Sequence, residues 1–308
     1  MKGDMELVGE ANTRLDKLLA LRLGKYSRSH IQDLVARGHV TVDGAKWENS
    51  KKLKGGERIV VSSAGAAWPE FASFETWVVH EDADLIVLNK PAGLLMHPLG
   101  ESWLTSPEAA LAEPDANLAG VLQRARPEIL KRGVPRCGIV HRLDRQTSGV
   151  LLVAKTKAAY DALIEAFKDR LVEKLYRAVV RGVPADKATR VEAPIGRDPG
   201  HRKVKVTPFG KQAQTHIRVV AKAKGAALVE AKPLTGRTHQ IRAHLALTGH
   251  PVLGDVEFDK RVDGKPWPPR LLLHAFRVAF EHPKSGKRVE FTCEPPSDFA
   301  RFWRSLKS

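Results

Sequence analysis

The sequence predicts an α+β protein in two parts, a small helical module with a β-ribbon followed by a large mixed domain. Three observations predict it. At 308 residues the chain is longer than one ordinary core, so a large domain with a small companion is the natural division. Apolar residues switch along the chain between helical spacing and strict alternation. The elements so marked do not follow a repeating βαβ order, which argues against a doubly wound parallel sheet.

The N-terminal stretch "TRLDKLLALRLGKYSRSHIQDLVARGHVTVDGA" opens with Leu15, Leu18, Leu19 and Leu23 on one helical face. A second helix follows, with Ser27 or Ser29 as its cap, Ile31, Leu34 and Val35 as its inner stripe, and Gly38 at its end. Val40 and Val42 alternate into the turn "DG", and residues 59–61 supply a return strand. Residues 63–75 are small and flexible with one proline, as in a linker, so the module spans residues 12–62 and the second domain residues 76–308.

That domain begins strand, turn, strand over 77–79 and 85–88. From 99 to 135 the pattern is weak, which predicts a long surface excursion with a short helix near 119–125. The stretch "GIVHRLDRQTSGVLLVAK" has strand-like flanks around a polar turn, and Tyr160, Leu163, Ile164, Phe167 and Leu171 mark a helix. Strands are predicted in "KLYRAVVRG", at 215–220 and at 227–231, then a helix over 238–248 closed by Gly249.

Charge narrows the function. Lys and Arg number 51 against 35 acids, a net charge of +16, which suits a polyanionic partner: RNA, DNA or an anionic membrane. No apolar run approaches the ~20 residues of a membrane helix, and the N-terminus does not read as a secretory signal. Two distant cysteines, Cys137 and Cys293, fit a reduced cytoplasmic setting and no metal spacing. On the first module the polar positions are basic, Arg14, Lys17, Arg28, Arg37, Lys46 and Lys54 among them, as phosphate contact requires.

The candidate for chemistry is Asp144, set among His141, Arg142 and Arg145. Familiar motifs fail at this point. A kinase loop needs Asp where Leu143 stands, Ser148 is not in a G-x-S-x-G elbow, and His239 and His244 are one residue too far apart for a zinc helix. What remains is a carboxylate within reach of an arginine, Arg142 on its own segment or Arg237 or Arg242 in "GRTHQIRAH". A neighbouring cation favours the ionised acid, and an ionised, aimed acid is what a carboxylate nucleophile must be.

Together with "NKPAGLLMHP", "EKLYRAVVRG" and "KPLTGRTHQIRAHLALTGHPVLGD", this stretch resembles the RluA-type family of RNA pseudouridine synthases from about residue 77 to 299, while "SRSHIQDLVARGHVTVDG" resembles the S4-type RNA-binding module. The resemblance implies a mixed, largely antiparallel sheet flanked by helices. It implies Asp144 as nucleophile, Tyr176 as active-site tyrosine and Arg242 as the arginine paired with the acid. Arg142 is expected to displace the target uridine, projecting opposite Asp144, with Arg14, Arg28, Arg37, Arg202 and Lys203 on the RNA backbone and Leu234 in the pocket wall. Lys90 and Pro91 are expected to shape a turn, and His141 and His239 to bond backbone.

Isomerising uridine transfers no electrons, so neither cofactor nor metal is expected, and the protein is expected to be a monomer. Asp144 would attack the ribose, attack the ring, or remove a ribose proton to give a glycal; the three routes stay open. The implied substrate is 23S ribosomal RNA, with the helix 69 loop as its site, ahead of transfer RNA or other ribosomal sites. The alternative is a non-catalytic RNA-binding or ribosome-assembly factor.

Overall fold

The computed structural model describes residues 5–23, 31–32, 34–35, 38–48, 51–62, 74–98, 102–105, 109–112, 116–201, 203–259 and 267–307. They divide into two compact units, residues 1–76 with 95–138 and residues 77–94 with 139–308.

In the first unit α1 (Leu15–Leu23), β2 (Val40–Val42) and β4 (Arg58–Val61) follow the expected pattern, and two strands the sequence did not announce, β1 (Met5–Val8) and β3 (Ala45–Lys46), join them. The strands pair antiparallel in the order β1-β4-β2-β3. Asp43 and Gly44 join β2 to β3 with both φ values positive, 50° and 77°, the handedness that a two-residue hairpin turn demands. Leu15, Leu18, Leu19 and Leu23 close over Val40, Val42, Ile59 and Val61, with Ile31, Leu34 and Val35 in the same core. The cap candidates Ser27 and Ser29 lie outside the described residues.

In its described residues the segment from 99 to 135 is not a surface excursion. It contains α2 (Ser102–Thr105), α3 (Ala109–Ala112), α4 (Leu118–Ala125) and α5 (Pro127–Lys131), and it buries Trp103, Ala110, Leu118, Leu122 and Ile129. The expected helix near 119–125 is present as α4; the other three, of about one turn each, repeat their apolar spacing too few times for periodicity to reveal them. Asn117 organises the group: its side chain accepts from Gly120 N–H at the start of α4 and donates to the Ala110 carbonyl.

The second unit is built on a nine-stranded sheet. Its elements are β5 (Val78–Glu81), β6 (Leu85–Lys90), β7 (Ser148–Ala154), α6 (Lys157–Lys168), β8 (Glu173–Arg181), β9 (Ala188–Glu192), β12 (Gln214–Ala223), β13 (Ala226–Pro233), α7 (Gln240–Leu247), β14 (Leu273–Glu281), β15 (Arg288–Thr292) and α8 (Ser297–Ser305). A separate hairpin joins β10 (Ile195–Gly196) to β11 (Lys205–Val206). The main order is β5-β6-β7-β14-β8-β13-β12-β9, with β15 beside β14, and every pair is antiparallel except β7 with β14. The sheet is therefore mixed and largely antiparallel. Ile241 and Leu245 of α7 and Phe299 and Trp303 of α8 pack with Ala178, Val180, Val229 and Ala231 of the sheet.

The parallel crossing depends on Gly149. Its φ is 113°, and a Cβ there would stand 2.1 Å from the carbonyl oxygen of Ala275. Only a residue without a side chain permits that approach. Leu171, expected on the inner face of α6, is 62% exposed, because the helix ends at Lys168 and the chain turns through Arg170 at positive φ.

Candidate active site

The chain reaches β7 through residues 139–147, and packing fixes each side chain on the way. His141 Nε2 accepts the Leu152 N–H at 2.9 Å while its ring stacks on Phe167 at 4.6 Å. Burial, with help from the Lys174 charge, pulls His141 down to about 3, so the ring is neutral and able to accept. Leu143 turns into the core. Arg142 and Asp144 line one and the same cavity, so the expected opposition between them is absent. Side chains two apart on extended backbone share a face.

After Asp144 the chain closes a turn, Thr147 N–H to the Asp144 carbonyl at 3.0 Å. Lys90, fully buried at the end of β6, holds this turn from below. Its Nζ donates to the carbonyls of Pro91 (2.8 Å), Leu94 (2.9 Å) and Arg145 (3.2 Å). Arg145 Nε donates in return to the Gly93 carbonyl at 3.0 Å. Burial pulls the Lys90 amine down to about 7, opposed by the charge of Asp144. The predicted turn-shaping residue thus also anchors the residue that follows the acid.

The opposite wall comes from α7 and the loop before it. Gln240 fastens that loop: Oε1 accepts from Thr235 Oγ1 (2.7 Å) and Arg237 N–H (3.0 Å), and Nε2 donates to the Gln214 carbonyl (2.9 Å) and Thr215 Oγ1 (3.0 Å). Two residues on, Arg242 donates through Nε and Nη2 to both oxygens of Asp255 at 2.7 and 2.8 Å, and through Nη2 to Glu257 at 2.8 Å. Its remaining nitrogen, Nη1, reaches Asp144 Oδ2 at 3.2 Å. Burial works against the guanidinium charge, but Asp255 first, then Asp144 and Glu257, hold it above its ordinary value. Two acids, Asp255 and Glu257, fix the guanidinium plane, so the geometry offered to Asp144 is rigid.

His239 does not bond backbone as expected. It caps α7 in left-handed conformation, φ 55°, with Nδ1 3.1 Å from Glu257 Oε2 and Nε2 3.9 Å from Asp144 Oδ1. Burial lowers its proton affinity, with the neighbouring acids opposing.

Tyr176 of β8 faces the same space. Burial, and secondarily the charge of Asp144, push its hydroxyl well above the usual range, so it stays a phenol at neutral pH. The cavity measures about 840 Å³ and is lined by Arg142, Asp144, Tyr176, Leu234 and Arg242, with Lys168, Arg170, Lys174, Lys232 and Arg237 supplying positive charge. The only other acid on its wall among the described residues is Glu173, already paired with Lys232 and Arg288.

The structure therefore brings together five of the residues singled out in the sequence. Others stand apart. Arg14 lies in the other unit, where its Nε and Nη2 grip buried Asp16 at 3.1 and 3.0 Å. Lys203 is exposed, its Nζ 6.0 Å from the centre of the Phe258 ring. Arg28, Arg37 and Arg202 lie outside the described residues. Sequence reasoning missed Asp255, Glu257 and Gln240. An arginine on a helix that packs into the core demands a buried acid, and "VLGDVEFD" was the nearby supply.

Known proteins are similar to this chain over most of its length. The family described as RNA pseudouridylate synthase matches residues 84–247, and the S4 domain matches residues 13–59. The ribosomal large subunit pseudouridine synthase D of Neisseria meningitidis serogroup B is 38% identical over 94% of this chain and 77% of its own length. The protein of the same name from Nitrosomonas europaea is 36% identical, covering 97% of this chain and 86% of that one. Among solved structures, human RNA pseudouridylate synthase domain containing 4 superposes with a TM-score of 0.59 at 25% identity, over 76% of this chain and 94% of that one.

Proposed function

Because the chain belongs to the RNA pseudouridylate synthase family, and so is an isomerase that converts uridine in RNA to pseudouridine, we propose that it acts on ribosomal large-subunit RNA and that Asp144 engages the extruded nucleoside. The observation that carries the reading is the Asp144 carboxylate at the cavity wall with Arg242 Nη1 3.2 Å away. The large-subunit assignment rests on the names of the relatives, and the helix 69 loop of 23S ribosomal RNA is the site proposed within it.

The reaction breaks the bond from ribose C1′ to ring N1, turns the uracil, and joins C1′ to C5. The C5 proton leaves and N1 gains one, so atoms and electrons balance without an oxidant. The detached fragments must be kept together while one rotates. A single carboxylate serves this by a covalent bond to ribose or ring, or by taking a ribose proton. Arg242 holds that carboxylate in place, and its two other anionic partners, Asp255 and Glu257, keep it from swinging with the substrate. Tyr176, as a phenol, supplies a flat packing surface for the uracil and a hydrogen-bond donor.

Reaching a stacked base costs a few kcal/mol of unstacking. Arg142, exposed on the wall beside Asp144, fills the place the base leaves, with Leu234 against the ring. Residues 12–62 serve as the RNA-binding module, joined through 63–75 to a catalytic domain of residues 76–308, and the enzyme works as a cytoplasmic monomer. Arg14, Arg28, Arg37, Arg202 and Lys203 contact backbone phosphates.

The test is Asp144→Asn. The variant is expected to release no tritium from large-subunit RNA labelled at uracil C5 while binding that RNA as tightly as the parent protein. Turnover at the parent rate would refute the role given to the acid.

A further inference from the structure

The β10–β11 hairpin is fixed to the helix that carries Arg242: Ile195, Val204 and Ala213 share a buried cluster with Ala243 of α7. Beyond β11 the chain makes a tight turn, Thr207-Pro208-Phe209-Gly210, closed by Gly210 N–H to the Thr207 carbonyl at 2.9 Å. Proline in the second position presets that turn. Thr207 Oγ1 donates to Asp198 at 2.5 Å. Ile195 and Lys211 exchange both backbone hydrogen bonds, at 2.9 and 3.0 Å. Gly196 and Gly210 let the two strands touch, since a Cβ on Gly196 would stand 2.6 Å from Gly210 Cα. Arg237, on the cavity wall, donates Nε to the Gln212 carbonyl at 3.2 Å. The turn is therefore rigid and ends within three residues of the cavity rim.

On this well-held turn Phe209 is 69% exposed. Its backbone makes the turn, which many residues would do equally well, and its ring is left in water. Pro208 and Lys211 beside it are also exposed, as are Lys203, which precedes β11, and Lys205 on β11, the latter paired with Asp198. A lone ring among cations lacks the apolar surroundings of a protein-docking patch. It has what single-stranded RNA uses: positive charge for the backbone and a π-face on which any base stacks.

We propose that Phe209 is a stacking platform for an unpaired base of the substrate RNA next to the extruded uridine. The inference rests on the pseudouridine synthase reading of the cavity and adds a second grip outside it. Stacking there orients the strand that leads into the cavity, and any base satisfies it, so it adds affinity without adding sequence preference.

The experiment compares Phe209→Ala, Phe209→Leu, Phe209→Tyr and Phe209→Trp in the full chain on a large-subunit RNA transcript tritiated at uracil C5. Filter binding gives Kd, and single-turnover tritium release at saturating enzyme gives the chemical rate. The Ala and Leu variants are expected to weaken binding about tenfold, while Tyr and Trp stay within about twofold. All four keep the parent's saturated rate and salt dependence, because base stacking on a neutral ring releases no counterions. Melting midpoints stay unchanged, since the side chain is exposed. Ala binding as well as the parent overturns the proposal, and so does Leu binding as well as Tyr, which would make the interaction merely apolar. A parent protein that releases no tritium overturns the functional reading itself, an outcome distinct from active parent and Ala proteins of equal affinity.

Discussion

A neutral imidazole backs the cavity wall. His141 takes the Leu152 N–H on Nε2, an acceptor site that protonation destroys. Its proton affinity is down at about 3 in the folded chain against an ordinary 6.5, so between these values the unfolded chain holds more protons. The stabilisation is whole above 6.5 and is lost as pH falls through about 3. Urea unfolding at successive pH values should show it directly: His141→Gln, which has no proton to gain, should lose less stability than the parent between pH 6.5 and 4. At this scale the sequence was legible where a residue answers to its neighbours in the chain. The alternation of Arg142, Leu143 and Asp144 is visible in the sequence, although side chains two apart share a face rather than oppose one another. Asp255 and Glu257 were harder to read, because their roles follow only once Arg242, 13 and 15 positions before them, is known to turn into the core.

The elements that hold the site are short and depend on close approach. Gly149 brings β7 against β14 immediately after the turn that presents Asp144. Gly149→Ala would put a methyl group 2.1 Å from a carbonyl oxygen at a φ of 113°, and is expected to cost at least about 3 kcal/mol, read as a lowered denaturant midpoint. Long elements such as α6 and β8 declared themselves through many repeats of apolar spacing. Of the helices between 102 and 131 only α4 showed in the sequence; the other three did not, since their burial comes from contacts that a few residues of pattern cannot encode. The strand β1 was likewise unread, four residues whose partner β4 lies far along the chain.

Across the whole molecule the net charge of +16 sets the response to salt. Lys17, Lys46 and Lys54 are exposed on the first unit, which matches the S4 domain. Replacing all three with Ala should weaken binding to large-subunit RNA and flatten the plot of log affinity against log salt by about 0.7–0.9 for each phosphate no longer neutralised. The saturated rate of tritium release should not change. An unchanged slope would mean that these lysines do not meet phosphate. The α+β class and the basic module followed from composition and spacing, whereas the order of nine strands did not, because pairing across the sheet is set by long-range packing. The pairing of Asp144 with Arg242 spans 98 positions of sequence. A ribosome making this chain exposes the acid well before it has polymerised the guanidinium. Prematurely terminated products therefore carry the S4-type module without the Asp144–Arg242 pair, and would occupy RNA as competitors of the intact enzyme.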